Sequence, residues 1–490
     1  MISVAALLLF APFADAEKLA IIGATLINPG TGQVLDNAVI VIQGDHIVTV
    51  GSGKEANVPA GAKMIDAKGK FILPGYIDTH VHFFQSGDLY TRPDIVDLTK
   101  VRPYADEVAM TKRNLPDTFE RYLRSGITSV IDVGGPFWNF EVRKLAARNP
   151  KAPRVAVAGP LISSVARTKL DLGDPPIVKI ETPDQGRAMV RKLAAQNPDF
   201  VKIWYIVDAE HPVEKFRPVV HAVVEESHAR KLRVAVHATE LEAARAAVEE
   251  GADLLVHSVT DRVVDDRFVR LLKERGTILT PTLVVFERYG RTFANKLTLT
   301  PEEKAWGNPE VIASLDVTKL SSDKVPDRIK TALANPDAVL DRIKQTYEIA
   351  LKNLTTLEEA GITIATGTDA GNIGTIHGPA IFREFELMHE AGLTPMQILQ
   401  CTTANAAKTF GGSIGPRLGA IEPDKLADLV ILKSNPLDNI KHASDIESVM
   451  KNGVLYPADS LAKDSLDDVE RRKEINASAR TQRIRFTNGL

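Results

Sequence analysis

The segment Pro74-Gly75-Tyr76-Ile77-Asp78-Thr79-His80-Val81-His82 decides how the rest of the chain is interpreted. A Pro-Gly turn precedes β-rich residues, which predicts a buried strand that ends at His80. His80 and His82 are two positions apart, so both side chains point to one face of an extended chain. Two neutral imidazoles on one face make half of a metal site.

Seven further strand candidates follow this segment and alternate with amphipathic helices. Eight alternations with right-handed crossovers predict an α/β fold, a (β/α)8 TIM barrel, over residues 71–414. In chain order the candidate strands are 76–80, 128–132, 155–158, 200–204, 233–237, 254–257, 278–283 and 362–366.

The connection between the seventh and eighth strands is far longer than an ordinary one. Residues 284–345 are rich in proline and charge, which predicts an insertion at the mouth of the barrel and a candidate lid. Short β-rich runs occupy 17–70 and return in 415–458, which predicts a small β-sandwich domain built from both chain ends. Residues 459–490 form a charged C-terminal tail.

The first 16 residues have the features of a signal peptide. An apolar block is closed by Ala14-Asp15-Ala16, a small-x-small pattern that signal peptidases cleave. The block is shorter than the roughly 20 apolar residues that span a bilayer. We therefore expect an exported, periplasmic or secreted protein. The alternative is a buried first strand or helix.

The charge balance limits the classes of partner. The 490 residues carry 60 Lys and Arg against 63 Asp and Glu, a formal net charge of -3. This near-balance gives no overall attraction to nucleic acid or to acidic membranes. We expect a small-molecule substrate, no nucleic acid and, after removal of the signal peptide, no membrane.

Further polar residues stand where the predicted strands end. Reactive groups of such barrels lie at the carboxyl ends of the strands. Imidazole and carboxylate together suit a borderline divalent ion, Zn above all, with Mn, Co or Fe open. The residues at these later strand ends are Lys202, His237, His257 and Asp369.

Lys202 lies inside the apolar run Phe200-Val201-Lys202-Ile203-Trp204. An ammonium group buried there is costly unless it is paired or chemically changed. The alternative is a side chain that extends past the strand end into solvent.

Together these motifs strongly resemble the amidohydrolase superfamily. The resemblance runs from about residue 19 to 456 and includes Gly367-Thr368-Asp369 and the segment 419–432. The residues around Lys202 resemble the imidazolonepropionase-like, prolidase-like branch. That branch implies a CO2-derived carbamate on Lys202 that, with a hydroxide, bridges two divalent metal ions. The implied metal ligands are His80, His82, Lys202, His237, His257 and Asp369, with His80, His82 and Asp369 on one metal and His237 and His257 on the other.

The resemblance also implies the reaction. It predicts a binuclear hydrolase of amide-type C–N bonds in dipeptide, Xaa-Pro or N-acyl amino acid-like substrates. Asp369 would take a proton from the bridging hydroxide and pass it to the leaving nitrogen, unless it is only a ligand. Cyclic amides of the imidazolonepropionase kind, esters, lactones or phosphotriesters are alternatives on the same site. A non-catalytic metal- or ligand-binding barrel is the alternative from another class.

Weaker candidates surround this set. His377, after the eighth strand, is a candidate for catalysis and for substrate binding, and Tyr205 is a candidate for substrate binding. Arg167 and Arg288 are candidates for binding an acidic substrate. A homo-oligomer is a family-level expectation, and the natural substrate stays open. Solvated or capping roles are expected for His211, His221 and His228.

Overall fold

The computed structural model describes residues 18–53 and 57–461. The predicted signal peptide lies outside the described residues, as do 462–490 of the predicted tail. In the described part, no helix combines the length and the apolar character needed to cross a bilayer.

The strands fall into a sheet that joins both chain ends and two sheets of parallel strands in between. In chain order they are β1 Lys18–Asn28, β2 Gln33–Gln43, β3 His46–Ser52, β4 Lys63–Asp66, β5 Phe71–Pro74, β6 Tyr76–Val81, β7 Ile127–Asp132, β8 Arg154–Val157, β9 Leu161–Ser163, β10 Ile177–Lys179, β11 Phe200–Trp204, β12 Arg233–His237, β13 Leu254–Val256, β14 Ile278–Thr280, β15 Leu429–Leu432, β16 Ile446–Lys451 and β17 Val454–Pro457.

Helices follow most of the parallel strands and also fill the long connection after β14. In chain order they are α1 Tyr104–Arg113, α2 Leu115–Arg124, α3 Asn139–Arg148, α4 Pro183–Ala194, α5 Val213–Ala229, α6 Leu241–Glu249, α7 Asp266–Arg275, α8 Leu283–Phe293, α9 Pro301–Trp306, α10 Pro309–Ser314, α11 Asp327–Ala334, α12 Pro336–Glu359, α13 Ala380–Glu390, α14 Pro395–Thr402 and α15 Ala404–Phe410.

The terminal sheet has eight strands in the order β17-β16-β15-β5-β1-β2-β3, with β4 paired to β1. The antiparallel pair of β5 and β15, in register at Leu73 and Val430, joins the two ends of the chain. Residues 71–74 therefore belong to this sheet, although the sequence places them in the barrel. The sandwich form of this domain stays a prediction.

The parallel strands form one sheet in the order β6-β7-β8 and another in the order β10-β9-β11-β12-β13-β14. This is a TIM-barrel-like α/β fold, and the first six predicted barrel strands overlap β6, β7, β8, β11, β12 and β13. The sequence did not indicate the short strands β9 and β10. A regular closed barrel stays a prediction.

Two predicted strands differ from the structure. The seventh ends at Thr280 rather than 283, because Pro281 has no N–H for the ladder and α8 begins at Leu283. The eighth is not a regular strand, and Ile364 makes a single parallel bridge to Leu279.

Helices near the end of the parallel region explain the irregular eighth segment. The Asn405 side chain donates to the carbonyl of Ile364, and the N–H of Thr366 donates to the carbonyl of Cys401. These backbone groups are therefore not available to a neighbouring strand. Thr79 N–H still donates to Thr366 O at 3.0 Å, which keeps this segment beside β6.

The pleat of the strands positions the polar residues. Apolar residues such as Phe200 and Ala235 pack in one cluster on a shared face of the parallel strands. Side chains two positions apart share a face, so Lys202 and His237 follow them at the carboxyl ends of β11 and β12. The apolar cluster thus lies directly beneath the polar strand ends.

Candidate metal centre

His80, His82 and Asp369 form a buried group with the donor atoms of a metal site. One ligand atom from each lies within 4.8 Å of the others. The Nε2 atoms of His80 and His82 are 3.3 and 3.2 Å from Oδ1 of Asp369. Imidazole and carboxylate are ligands that zinc and related divalent ions accept.

The two remaining strand-end imidazoles adjoin this group. The ring of His257 lies 4.8 Å from that of His80 and 4.4 Å from that of His237, measured between centroids. The four imidazoles are therefore contiguous, with His80 and His82 5.3 Å apart.

Neighbouring groups orient two of these rings. Nδ1 of His82 lies 2.7 Å from the carbonyl of Gly134, and Nδ1 of His257 lies 2.6 Å from Oγ1 of Thr282. A hydrogen bond at Nδ1 fixes the ring and leaves the lone pair of Nε2 available to a metal, as in metal-binding histidines generally.

Lys202 is 1% exposed, and its Nζ has no hydrogen-bond partner among the described residues. Burial lowers the pKa of the Lys202 amine to about 7. The structure therefore places Lys202 inside the fold and not past the strand end. Its amine, Nε2 of His80 and Oδ1 of Asp369 are buried polar atoms without hydrogen bonds in the described part of the chain, an expensive arrangement unless a further group satisfies them.

The loop that carries Asp369 is held tightly against β6. The N–H of Asp369 donates to the carbonyl of His80 at 2.7 Å. Oγ1 of Thr368 donates to Asp78 at 2.6 Å, and the Asp78 carboxyl also accepts from the backbone N–H of Thr368. A Cβ at Gly367 would lie 2.8 Å from Cβ of His80, so only glycine permits this approach.

Backbone strain is concentrated at the same place. Asp369, His257 and Thr282 have φ values of 59°, 76° and 48°, in the left-handed region that non-glycine residues rarely adopt. Such residues persist where surrounding contacts hold them, and they cluster at functional sites.

The protonation states suit metal binding. Burial lowers the pKa of His80 to about 3 and holds those of His237 and His257 well below the ordinary value. Burial opposes ionisation of Asp369, but the adjacent imidazoles of His80 and His82 hold its pKa well below the usual range. At neutral pH the site therefore presents neutral imidazoles and an anionic carboxylate, the forms that bind divalent cations.

All six predicted ligands line one cavity of about 320 Å³. The donor types, their burial and their unsatisfied atoms fit divalent metal ions. The predicted ligands that meet there are His80, His82, Lys202, His237, His257 and Asp369.

His377 does not line this cavity. Its Nδ1 lies 2.7 Å from the hydroxyl of Tyr122 and its Nε2 lies 2.8 Å from the carbonyl of Gln85. The ring stacks on Phe83 at 5.6 Å, and burial lowers its pKa to about 4. Both nitrogens are engaged by the protein, so this geometry gives no support to the predicted catalytic and substrate-binding roles.

Tyr205 also lies away from the cavity. Its side chain is fully buried against Phe216, and its hydroxyl donates to the carbonyl of Val213. Trp204 lines the cavity instead, because it shares a strand face with Lys202 whereas Tyr205 points to the opposite face. The period of the strand was a signal that could have identified Trp204.

The predicted arginines lie in different environments. Arg288 is fully buried and pairs with Glu303 at 2.9 Å, so it cannot contact a substrate in the cavity. Arg167 lies over the Trp204 ring at 5.0 Å and is 3.6 Å from Asp94. The remaining histidines pair with surface carboxylates, as expected, and they are His211, His221 and His228.

The outer part of the cavity contains residues that the sequence did not indicate. Arg92 and Tyr289 both donate to Oδ1 of Asn372, whose Nδ2 donates to the carbonyl of Asp369. Phe286 and Arg328 also line the cavity, and both belong to the segment 284–345.

Comparison with known proteins agrees with this geometry. The family model for the amidohydrolase family matches residues 71–456. The chain belongs to the amidohydrolase family. Membership makes this amidohydrolase a hydrolase that acts on carbon–nitrogen bonds, and the family resemblance drawn from the motifs is confirmed.

Individual relatives are distant but extend over most of the chain. Ochratoxinase from Aspergillus niger is 25% identical over 476 residues, covering 90% of this amidohydrolase and 87% of the relative. The 5-methylthioadenosine/S-adenosylhomocysteine deaminase from Bacillus cereus is 23% identical, with 88% and 89% covered. The crystal structure of a Xaa-Pro dipeptidase superposes with a TM-score of 0.68 at 24% identity, covering 90% of this chain and all of that one. That likeness supports the fold.

Proposed function

We propose that this protein is a binuclear metal-dependent hydrolase of amide C–N bonds, with dipeptide, Xaa-Pro or N-acyl amino acid-like substrates. The observation that carries the proposal is the cavity lined by six ligand-type side chains, in which Lys202 Nζ and Asp369 Oδ1 are buried without a hydrogen-bond partner in the described part of the chain. A non-catalytic binding protein does not require an acid and a derivatisable amine at the same place.

In this proposal the residues divide between two sites. His80, His82 and Asp369 hold one divalent ion, and His237 and His257 hold the other. Lys202 reacts through its neutral amine with CO2, loses a proton and becomes an anionic carbamate that lies between the two sites. The lowered pKa of Lys202 supports this step because the neutral amine is the nucleophile. Zn is the first choice of metal, with Mn, Co or Fe as alternatives.

Bound divalent ions activate water and polarise the substrate carbonyl near neutral pH. The chain's own contribution is to move the proton. Asp369 is held ionised beside His80 and His82, so its carboxylate accepts the proton of the attacking water and delivers it to the leaving nitrogen. The hydrogen bond from the Asp369 N–H to His80 O fixes the carboxylate for this transfer.

The relatives support the substrate class. The names of two similar proteins, a Xaa-Pro dipeptidase and an ochratoxinase, and the family itself support amide-type bonds. A cavity of about 320 Å³ is at the lower end of the range for small-molecule sites, about 300–1,000 Å³. Cyclic amides, esters and lactones are outcomes that the same assay can reveal.

Metal analysis combined with a substrate panel tests the proposal. We expect about two ions per chain, turnover of dipeptides or N-acyl amino acids, and loss of turnover with a chelator that added metal restores. Mass spectrometry under native conditions should show the added mass of CO2, and this mass should be absent from a Lys202→Met variant. Tight metal without turnover across amides and esters would instead favour a binding protein.

A further inference from the structure

A second concavity adjoins the metal centre. The cavity with the metal-type ligands, here called the metal chamber, shares Phe286 and Arg328 with a groove of about 480 Å³. We call this second concavity the side groove. It lies between α8, α11 and α12, so the segment 284–345 builds most of it.

The side groove is apolar along one side. Phe293, Ala332 and Ile343 are buried residues on its wall, one from each of its three helices. Gly290 keeps the groove close to α12, because a Cβ there would lie 2.9 Å from Cδ1 of Ile343. Grooves of this composition accept branched or aromatic side chains.

The junction between the two spaces carries an unmatched positive charge. Arg328 donates to the carbonyl of Ile95 at 3.4 Å, and its guanidinium lies 5.4 Å from the ring of Phe293. Within residues 18–53 and 57–461, no carboxylate lies within 4.0 Å of this guanidinium. Arg92, which also lines the metal chamber, is neutralised by two hydrogen bonds to Asp94.

We propose that the substrate spans both spaces, with its amide in the metal chamber, a carboxylate on Arg328 and a bulky apolar group in the side groove. This inference rests on the proposed function and specifies its substrate. Because Arg328 and Phe286 both stand at the junction, the charge and the apolar group must branch from neighbouring atoms. An α-amino acid that supplies the leaving nitrogen has this arrangement, since its carboxylate and side chain share one carbon. The substrate class is an N-acyl amino acid or dipeptide whose carboxyl-terminal residue is bulky and apolar.

The first experiment tests the charge. N-acetyl-leucine is compared with N-acetyl-leucinamide in the metal-loaded enzyme, and the acid should have a kcat/KM about 10- to 100-fold higher, the usual range for a charge-assisted contact. Arg328→Met should remove this preference, mainly through KM, and Arg328→Lys should keep part of it. Lys330→Met is the matched control, because Lys330 is an exposed cation on the same helix that lines neither space.

The second experiment tests the apolar group. Along the series N-acetyl-glycine, -alanine, -leucine and -phenylalanine, kcat/KM should rise with the size of the side chain. Ala338→Trp fills the groove from an exposed position of α12 and should reduce turnover of the last two substrates without affecting glycine. Lys344→Trp, on the same helix but outside the groove, should leave the series unchanged.

Binding supplies a readout that does not depend on turnover. Leucine should raise the melting temperature of the enzyme more than leucinamide does, and Arg328→Met should abolish the difference. Turnover that ignores both charge and size, with equal shifts for the two products, would overturn this inference while leaving amide hydrolysis in place. Failure of the whole panel in the metal-loaded enzyme would overturn the proposed function and this inference with it.

Discussion

The two halves of the metal chamber are built in different ways. The inner half consists of residues at or just after the ends of parallel strands, such as Lys202 and His237, and the backbone around them is fixed by ladder hydrogen bonds. The outer half consists of residues on helices of the long connection, such as Phe286 and Arg328, of which Arg328 is exposed. The comparison indicates that strand ends provide the chemistry, whereas the inserted helices select the substrate.

The largest effect should come from the acid of the inner half. Asp369→Asn removes the group that moves the proton, so we expect kcat to fall by about 10²- to 10⁴-fold. The fold should persist, because asparagine tolerates the left-handed backbone at φ 59°. Steady-state kinetics and thermal unfolding measure the two outcomes. Unchanged activity would exclude Asp369 from the reaction.

Asp424 offers a matched control for this substitution. It also has a positive φ, of 69°, but it is exposed and lies outside the chamber. Asp424→Asn should therefore leave kcat at the level of the unsubstituted enzyme. A similar loss of activity in both variants would show that the backbone, not the carboxylate, is responsible.

Lys202 should separate function from stability. We expect Lys202→Met to lower kcat/KM by about 10²-fold or more and to reduce the bound metal to about one ion per chain. The metal-free variant should be at least as stable as the unsubstituted protein, because methionine removes a buried, unpartnered amine. Metal analysis, kinetics and urea unfolding test the three expectations.

A second buried lysine provides the contrast. Lys451 is 3% exposed, and its Nζ is 3.3 Å from both carboxylate oxygens of Asp428. Lys451→Met leaves that carboxylate buried without its partner and should cost about 3–5 kcal/mol of stability. If Lys202→Met is equally destabilising, Lys202 has a structural partner and the proposed carbamate is wrong.

The sequence could indicate the inner half because a strand leaves little freedom. Once Phe200 is on an inner face, the pleat puts Lys202 on the same face two positions later. The outer half depends on how helices turn. Arg288 and Tyr289 are adjacent on α8, yet Arg288 faces Glu303 and Tyr289 lines the chamber. Without the tertiary positions of α8 and α11, nothing in the sequence distinguishes Arg288 from Arg328.

His377 gives a smaller expected effect that sharpens the boundary between the two halves. Both of its nitrogens bind protein groups, Tyr122 and the carbonyl of Gln85, so we expect it to position the loop that contains Gln85. His377→Asn should lower kcat less than about tenfold and should lower the melting temperature. A loss of 10²-fold or more with an unchanged pH profile of stability would restore the catalytic role that the sequence suggested.

The smallest effect concerns how the outer half is anchored. Glu384 on α13 is fully buried and accepts hydrogen bonds from the N–H groups of Leu283 and Val284, the first residues of α8. The helix that carries Phe286 and Tyr289 is therefore held by one carboxyl group. Burial raises the pKa of Glu384 from 4.5 to about 8.

This raised pKa gives a pH dependence with a definite sign. Between pH 4.5 and 8 the folded protein keeps the Glu384 proton while the unfolded chain has lost it, so the free energy of unfolding should fall as pH rises through this range. Glu384→Gln has no proton to lose, and the difference in slope between the two proteins should amount to about 2–3 kcal/mol from pH 5 to 8. Urea unfolding of the metal-free proteins measures it, with Glu390→Gln on the exposed side of the same helix as control. Parallel slopes for all three proteins would mean that Glu384 is ionised in the folded state, and that α8 is held by a charged group at its N-terminus and not by a neutral one.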